Sequence, residues 1–167
     1  MTKVLFVCHG NICRSPMAEF IMKKLVREAG RESEFEIASA ATSREEIGND
    51  IYPPARRCMA GHGVPFERRG ARQITGADAA YYDRIIVMEE YNLRNLRRLL
   101  GQAYEANEAK FSLLLDFAGR PGAEVADPWY SGDFETAYRD IESGCRGLLK
   151  RTKGPVPMVQ KEREELR

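Results

Sequence analysis

No stretch of this chain comes near the roughly 20 consecutive apolar residues that a membrane-spanning helix needs. The N-terminus also lacks the charged, apolar and small-residue succession of a secretory signal. An excess of charge is missing too: 26 basic and 25 acidic residues nearly cancel over 167 positions. No bulk attraction to nucleic acid or to an anionic membrane is therefore expected. Cysteine is scarce, with Cys8, Cys13, Cys58 and Cys145 the whole complement, nowhere spaced as Cys-x2-Cys and accompanied by only two histidines. That argues against a zinc site and against a disulfide framework. The Gly-x4-Gly-Lys-Ser/Thr pattern of a nucleotide-binding loop is absent. Repeats and low-complexity tracts are absent as well. The expectation is a cytoplasmic protein without metal, cofactor, nucleic-acid or membrane partner, with Cys58 and Cys145 as small buried apolar residues.

What the chain does contain is Cys8-His9-Gly10-Asn11-Ile12-Cys13-Arg14-Ser15-Pro16. The segment follows an apolar run, Val4-Leu5-Phe6-Val7, of the kind a buried parallel strand shows. It precedes apolar positions at Met17, Ile21, Met22, Leu25 and Val26, which cover one face of a helix. Pro16 suits the first position of that helix and Ser15 its cap. The loop thus ends at a helix N-terminus, where N–H groups and the macrodipole favour an anion. Gly10 and Asn11 tolerate the left-handed backbone of a tight loop. Arg14 adds a planar fork of donors that matches two phosphate oxygens. Residues 9–14 read as a phosphate cradle with the Cys8 sulfur at its floor. A free thiol is only about 3% ionised at neutral pH, but helix N-termini and cations favour the thiolate. Ser15 is placed to donate to that sulfur. Cys13, on the same loop, is either packed beneath it or able to trap an oxidised Cys8 as a disulfide.

Strand and helix signals alternate along the chain. Strands are expected at 4–7, 35–39, 83–88 and 111–115, and helices after Pro16, at 53–59, 90–100 and 134–150. Pro53 and Pro54 open the second helix, and Gly61 and Gly63 end it. In the third, Leu93, Leu96, Leu99 and Leu100 form the apolar positions; in the last, Ala137, Ile141, Cys145 and Leu148 face inward. This βαβα rhythm implies a parallel sheet with helices on both faces, and ligands at the carboxyl ends of its strands. One domain, residues 1–153, is expected, with 154–167 as an exposed tail or a short helix outside the core.

Cleaving a phosphate ester needs a proton for the departing oxygen. The expected donor is Asp127 in Ala126-Asp127-Pro128-Trp129-Tyr130, in a loop ahead of the last helix. Buried aromatics desolvate a neighbouring carboxyl and favour its protonated form. Trp129 and Tyr130 are expected to act in that way, and to wall the entrance against an aromatic leaving group.

Over residues 2–152 the chain resembles the low-molecular-weight protein tyrosine phosphatases. The matching segments are 4–8, Gly10 to Glu19, Ser39-Ala40, Ala71-Arg72-Gln73-Ile74-Thr75, Asn92-Leu93 and Asp127-Pro128. The resemblance implies a three-layer α/β/α fold with a four-stranded parallel sheet, the phosphatase I, flavodoxin-like doubly wound type. It implies hydrolysis of phosphotyrosine, in a protein or a small aryl phosphate, through a phosphocysteine on Cys8. Arg14 would bind phosphate, Asp127 would serve as acid and base, and Asn11, Ser15 and Ser39 would hold the loop. A monomer is expected, with a weak dimer as the alternative.

The chain departs from the family pattern around the expected substrate rim of Ile12, Glu45, Trp129 and Tyr130. His9 replaces an apolar residue, Glu45 stands where an aromatic is common, and Trp129 where tyrosine is frequent. A carboxylate at 45 is expected to disfavour acidic peptides. Glu89, in a position usually held by aspartate, and Arg69, often histidine, read equally well as surface charges. Arginine phosphatases related to this family carry threonine where Ile12 stands, so tyrosine is favoured. Thiol-linked arsenate reductases need two further cysteines near the third strand, and none is there. A phosphocysteine carrier would not need Arg14 together with Asp127, and a non-catalytic phosphotyrosine-binding module would have lost Cys8 or Asp127.

Overall fold

In the computed structural model, which describes residues 1–153, the first apolar run becomes the central strand. β1 (Thr2–Cys8) is buried on both faces from Val4 onward. It pairs in parallel with β2 (Phe35–Ala41) on one side and β3 (Arg84–Val87) on the other, and β3 pairs in parallel with β4 (Phe111–Leu113). The sheet therefore has four parallel strands in the order β2-β1-β3-β4, as expected. Parallel neighbours require crossovers, and helices supply them. The crossovers carry α1 (Arg14–Glu28), α2 (Pro53–Gly61), α3 (Gly76–Tyr81), α4 (Glu90–Leu100) and α5 (Gln102–Glu105), and α6 (Pro128–Ser131) and α7 (Phe134–Arg151) follow the last strand.

The pleat sorts β1 side chains into two cores. Val4, Phe6 and Cys8 pack with residues of α1, α2 and α7, including Met17, Ile21, Met59 and Ile141. Leu5 and Val7 pack with Ala79 of α3, Leu93 and Leu96 of α4 and Tyr104 of α5. The result is the expected three-layer α/β/α arrangement. Helix α7 approaches the short helical turn 114–118 so closely that a Cβ at Gly147 would overlap the Phe117 carbonyl. The chain order reverses across β1, so the carboxyl ends of β1 and β3 frame a crevice.

Several local expectations need correction. The fourth strand stops at Leu113, because residues 114–118 tighten into a 3-10 turn under α7. Ser15 does not cap α1, which begins at Arg14; its hydroxyl turns inward to the Cys8 sulfur instead. Helix α3 was not anticipated, although Thr75 and Asp78 form a capping box. The loop carrying Asp127 winds into the short helix α6, with Asp127 as its N-cap, accepting the Trp129 N–H at 3.0 Å. Leu99 points to solvent, whereas Leu93 and Leu96 are buried. The tail expected at 154–167 lies outside the described residues.

Candidate active site

The loop after β1 is stitched on both sides before any side chain is considered. Cys8 O accepts from Thr42 N at 2.9 Å, His9 O from Ser43 N at 3.1 Å, and Ile12 O from Tyr52 N at 2.9 Å. Between these anchors Asn11 takes a left-handed backbone, φ 59°, which asparagine tolerates better than bulkier residues. The turn folds the chain back so that Asn11 N–H donates to Cys8 Sγ at 3.3 Å. The N–H groups of Gly10, Ile12, Cys13 and Arg14 donate to no protein acceptor among the described residues. They precede or open α1, where an anion is favoured.

Behind the loop lies a buried polar network. Asn11 Nδ2 donates to Ser15 Oγ at 2.8 Å and to Ser39 Oγ at 3.0 Å. Ser39 donates in turn to Glu19 Oε1 at 2.6 Å. Asn11 Oδ1 accepts from Arg72 N at 3.2 Å, and Asn11 O accepts from Arg69 Nη2. Ser15 Oγ stands 3.0 Å from Cys8 Sγ. Asn11, Ser15 and Ser39 are thus brought together as expected. Arg69 is a loop support rather than a surface charge, and Glu19 and Arg72 belong to the same network.

Arg14 crosses the crevice almost wholly buried. Its Nη1 donates to Val125 O at 2.8 Å and to Glu89 Oε2 at 3.2 Å, and its Nη2 to Asp127 Oδ2 at 3.4 Å. Burial works against the guanidinium charge, but Cys8, Glu89 and Asp127 outweigh it and raise the Arg14 pKa above its ordinary value. Glu89 is therefore a site residue that orients Arg14. It sits at the carboxyl end of β3, where Met88 N and Glu89 N both donate to Asn92 Oδ1 at 3.1 Å.

Cys8, His9, Gly10, Ile12, Cys13, Arg14, Glu45, Asp127, Trp129 and Tyr130 line a single open cleft. The expected rim is thereby assembled, with Glu46 added to it. His9 Nε2 lies 3.0 Å from Glu45 Oε2 across the mouth. One expectation fails: the aromatics beside Asp127 are not buried, since Trp129 is 50% and Tyr130 85% exposed. The short helix α6 turns them outward. Trp129 packs instead on Tyr52 with ring centroids 4.6 Å apart, and Tyr52 lies 6.1 Å from Phe134. Tyr52 was missed because it stands far from both motifs in the chain.

Cys13 is buried beneath the loop with Ile12 and Ala71. Burial, reinforced by the charges of Cys8 and Asp127, pushes its thiol well above the ordinary range. No described helix is long and apolar enough to cross a membrane.

Residues 3–162 match the family described as low molecular weight phosphotyrosine protein phosphatase. The human protein of that name is 42% identical over 150 residues, which cover 89% of this chain and 94% of its own. The crystal structure of YfkJ from Bacillus subtilis is similar with a TM-score of 0.84 at 36% identity, covering 97% of this chain and 96% of that one. That of SP-PTP, a low molecular weight protein tyrosine phosphatase from Streptococcus pyogenes, gives 0.80 at 35% identity, covering 97% and 98%.

Proposed function

The chain belongs to the low molecular weight phosphotyrosine protein phosphatase family, and from that premise we propose that it hydrolyses phosphotyrosine through a phosphocysteine on Cys8. The observation that carries this reading is the convergence of Cys8, buried Arg14 and Asp127 on one cleft. The phosphate oxygens meet the free N–H groups of the loop and the Arg14 edge that Val125 and Glu89 leave open. The Cys8 sulfur attacks phosphorus; the S–P bond forms and the P–O bond to the tyrosyl oxygen breaks. Asp127 gives its proton to that oxygen. It then takes a proton from water, whose oxygen attacks phosphorus, and the S–P bond breaks to release inorganic phosphate. Ser15, 3.0 Å from the sulfur, steadies the departing thiolate. Such fixed donors act where charge develops, in a site that shields them from water.

Tyrosine is preferred to arginine as the phosphorylated residue because Ile12 presents a branched apolar side chain at the cleft. Arsenate reduction lacks its thiols: Cys58 and Cys145 lie on α2 and α7, and neither β3 nor the helix after it carries a cysteine.

The deciding experiment is turnover of phosphotyrosine and phosphoarginine peptides in the presence of a chelator. Cys8→Ser is expected to lose more than about 1000-fold in rate. Asp127→Asn should lose about 10²- to 10⁴-fold on phenyl phosphate and less on p-nitrophenyl phosphate, whose leaving group needs no proton. Full activity in Cys8→Ser would overturn the mechanism, and faster release from phosphoarginine would overturn the substrate.

A further inference from the structure

Away from the catalytic cleft, three metal-binding side chains from two helices meet at one point. Cys58 lies near the end of α2, His62 caps that helix, and Glu135 sits in the first turn of α7. A spacing of four residues brings Cys58 and His62 to one helix face, and the packing of α2 on α7 brings Glu135 against both. Glu135 Oε2 is 2.8 Å from His62 Nε2, and Glu135 Oε1 is 3.5 Å from Cys58 Sγ. The three donor atoms all lie within 4.8 Å of one another. The His62 ring stacks flat on Tyr138, with centroids 3.8 Å apart and an interplanar angle of 9°. Tyr138 is itself held by a hydrogen bond to Glu142, so packing fixes the imidazole.

We propose that Cys58, His62 and Glu135 form a binding site for a divalent transition cation of the zinc class, clamping the end of α2 to the start of α7. Tetrahedral bonds of about 2.3 Å to sulfur and about 2.0–2.2 Å to nitrogen and oxygen put the donor atoms roughly 3.3–3.6 Å apart. The sulfur lies 3.5 Å from Glu135 Oε1 and the imidazole nitrogen 2.8 Å from the other oxygen, Oε2, so the exposed carboxylate must rotate and draw back by about half an ångström to present one oxygen to the cation. A thiolate, an imidazole and a carboxylate suit zinc or cobalt, whereas one carboxylate offers calcium or magnesium too few oxygens. The His62 and Glu135 side chains are 34% and 56% exposed, which gives the cation an entry path and a solvent-facing fourth position.

In the absence of a cation the same groups are joined through protons, with the Cys58 thiol facing Phe134 O and Glu135. Because the thiolate is the ligand, metal uptake breaks the S–H bond, forms the sulfur–metal bond and sends the proton to solvent. The site has a line to the cleft as well: Phe134, next to Glu135, packs on Tyr52, and Tyr52 on Trp129. Sequence spacing conceals it, since no Cys-x2-Cys is present and Glu135 lies 77 positions after Cys58.

The test is titration of chelator-stripped protein with Co²⁺, whose thiolate-to-metal charge-transfer band reports sulfur ligation. One equivalent is expected to bind with release of about one proton. The band should persist in Cys8→Ser and vanish in Cys58→Ala. His62→Ala and Glu135→Gln should each weaken binding by more than about tenfold while still hydrolysing p-nitrophenyl phosphate, which reports an intact fold. A band that vanishes in Cys8→Ser and survives in Cys58→Ala would put the cation on the catalytic sulfur and overturn the proposal. So would the absence of any band at stoichiometric Co²⁺. Neither result bears on the phosphatase reading.

Discussion

Asn11 Nδ2 donates to Ser15 Oγ at 2.8 Å, and the Cys8 thiol donates to the same oxygen at 3.0 Å. With the thiol protonated, the Ser15 hydroxyl donates to the Ala40 carbonyl at 3.5 Å; once Cys8 ionises, its sulfur is an acceptor at the shorter 3.0 Å and the hydroxyl turns to it. The network thus converts a serine inside a helix into a donor for a sulfur anion. A hydrogen bond to a charged group contributes about 1.5–3 kcal/mol. Ser15→Ala is therefore expected to lower kcat about 10- to 100-fold with KM little changed. Steady-state rates on p-nitrophenyl phosphate measure it, and a kcat within twofold of the parent would show that the sulfur does not use this bond.

What the chain order reveals of this site follows from locality. Cys8, Arg14 and Ser15 share one loop, and a strand before and a helix after give that loop its anion-binding end. Asp127 is recognisable because Asp-Pro-aromatic-aromatic is itself a short pattern. The partners of Arg14 are not recognisable in this way. Glu89 and Val125 stand 75 and 111 positions away, and only the pairing of β3 with β1 brings Glu89 across. Arg69 reaches the Asn11 carbonyl from 58 positions away. The exposure of Trp129 and Tyr130 was misread for the same reason. Whether an aromatic is covered depends on elements packed from elsewhere; here Tyr52 packs on Trp129, while half of Trp129 and most of Tyr130 stay exposed.

The mouth of the cleft carries acid where the family often carries an aromatic. Glu45 and Glu46 both line it, and the Glu45 side chain is 69% exposed even while it meets His9. Exposed carboxylates repel acidic flanks and attract basic ones over about one Debye length. Phosphotyrosine peptides with neighbouring lysines are therefore expected to show kcat/KM values several-fold above peptides with neighbouring glutamates. The ratio should shrink toward 1 in about 1 M salt, where screening acts within about 3 Å. Glu45→Lys should reverse the order. A preference for acidic peptides in the parent chain would contradict the rim assignment.

Loop support extends as far as Asp78. Its carboxylate holds the Arg72 guanidinium at 2.8 and 3.1 Å and caps α3 with Thr75. Arg72 N–H in turn holds Asn11. Burial opposes the Asp78 charge, but hydrogen bonds from Arg72 and Thr75 outweigh it and keep the carboxyl below its ordinary range. A group depressed in this way stabilises the fold above its unfolded pKa, and the contribution fades as pH falls through the folded value. Asp78→Asn should cost about 1 kcal/mol at neutral pH, and progressively less below about pH 4. Urea midpoints of the two proteins across that range are the measurement. A deficit equally large in acid would assign the loss to shape rather than charge.

Cys13 sits in the same cleft as Cys8 and is buried under the loop. Hydrogen peroxide converts a thiolate to a sulfenic acid, which a neighbouring thiol displaces as water to form a disulfide. One equivalent of peroxide is expected to close a Cys8–Cys13 disulfide, with activity restored by a small thiol. Because burial raises the Cys13 thiol, closure should be slow at neutral pH and accelerate as pH rises. Cys13→Ser removes the trap, so in that variant excess peroxide should drive Cys8 to sulfinic and sulfonic acids that thiols do not reverse. Mass spectrometry of thiol-blocked peptides separates the two outcomes. Irreversible oxidation of Cys8 in the parent chain, at the rate seen in Cys13→Ser, would show that Cys13 serves only as packing.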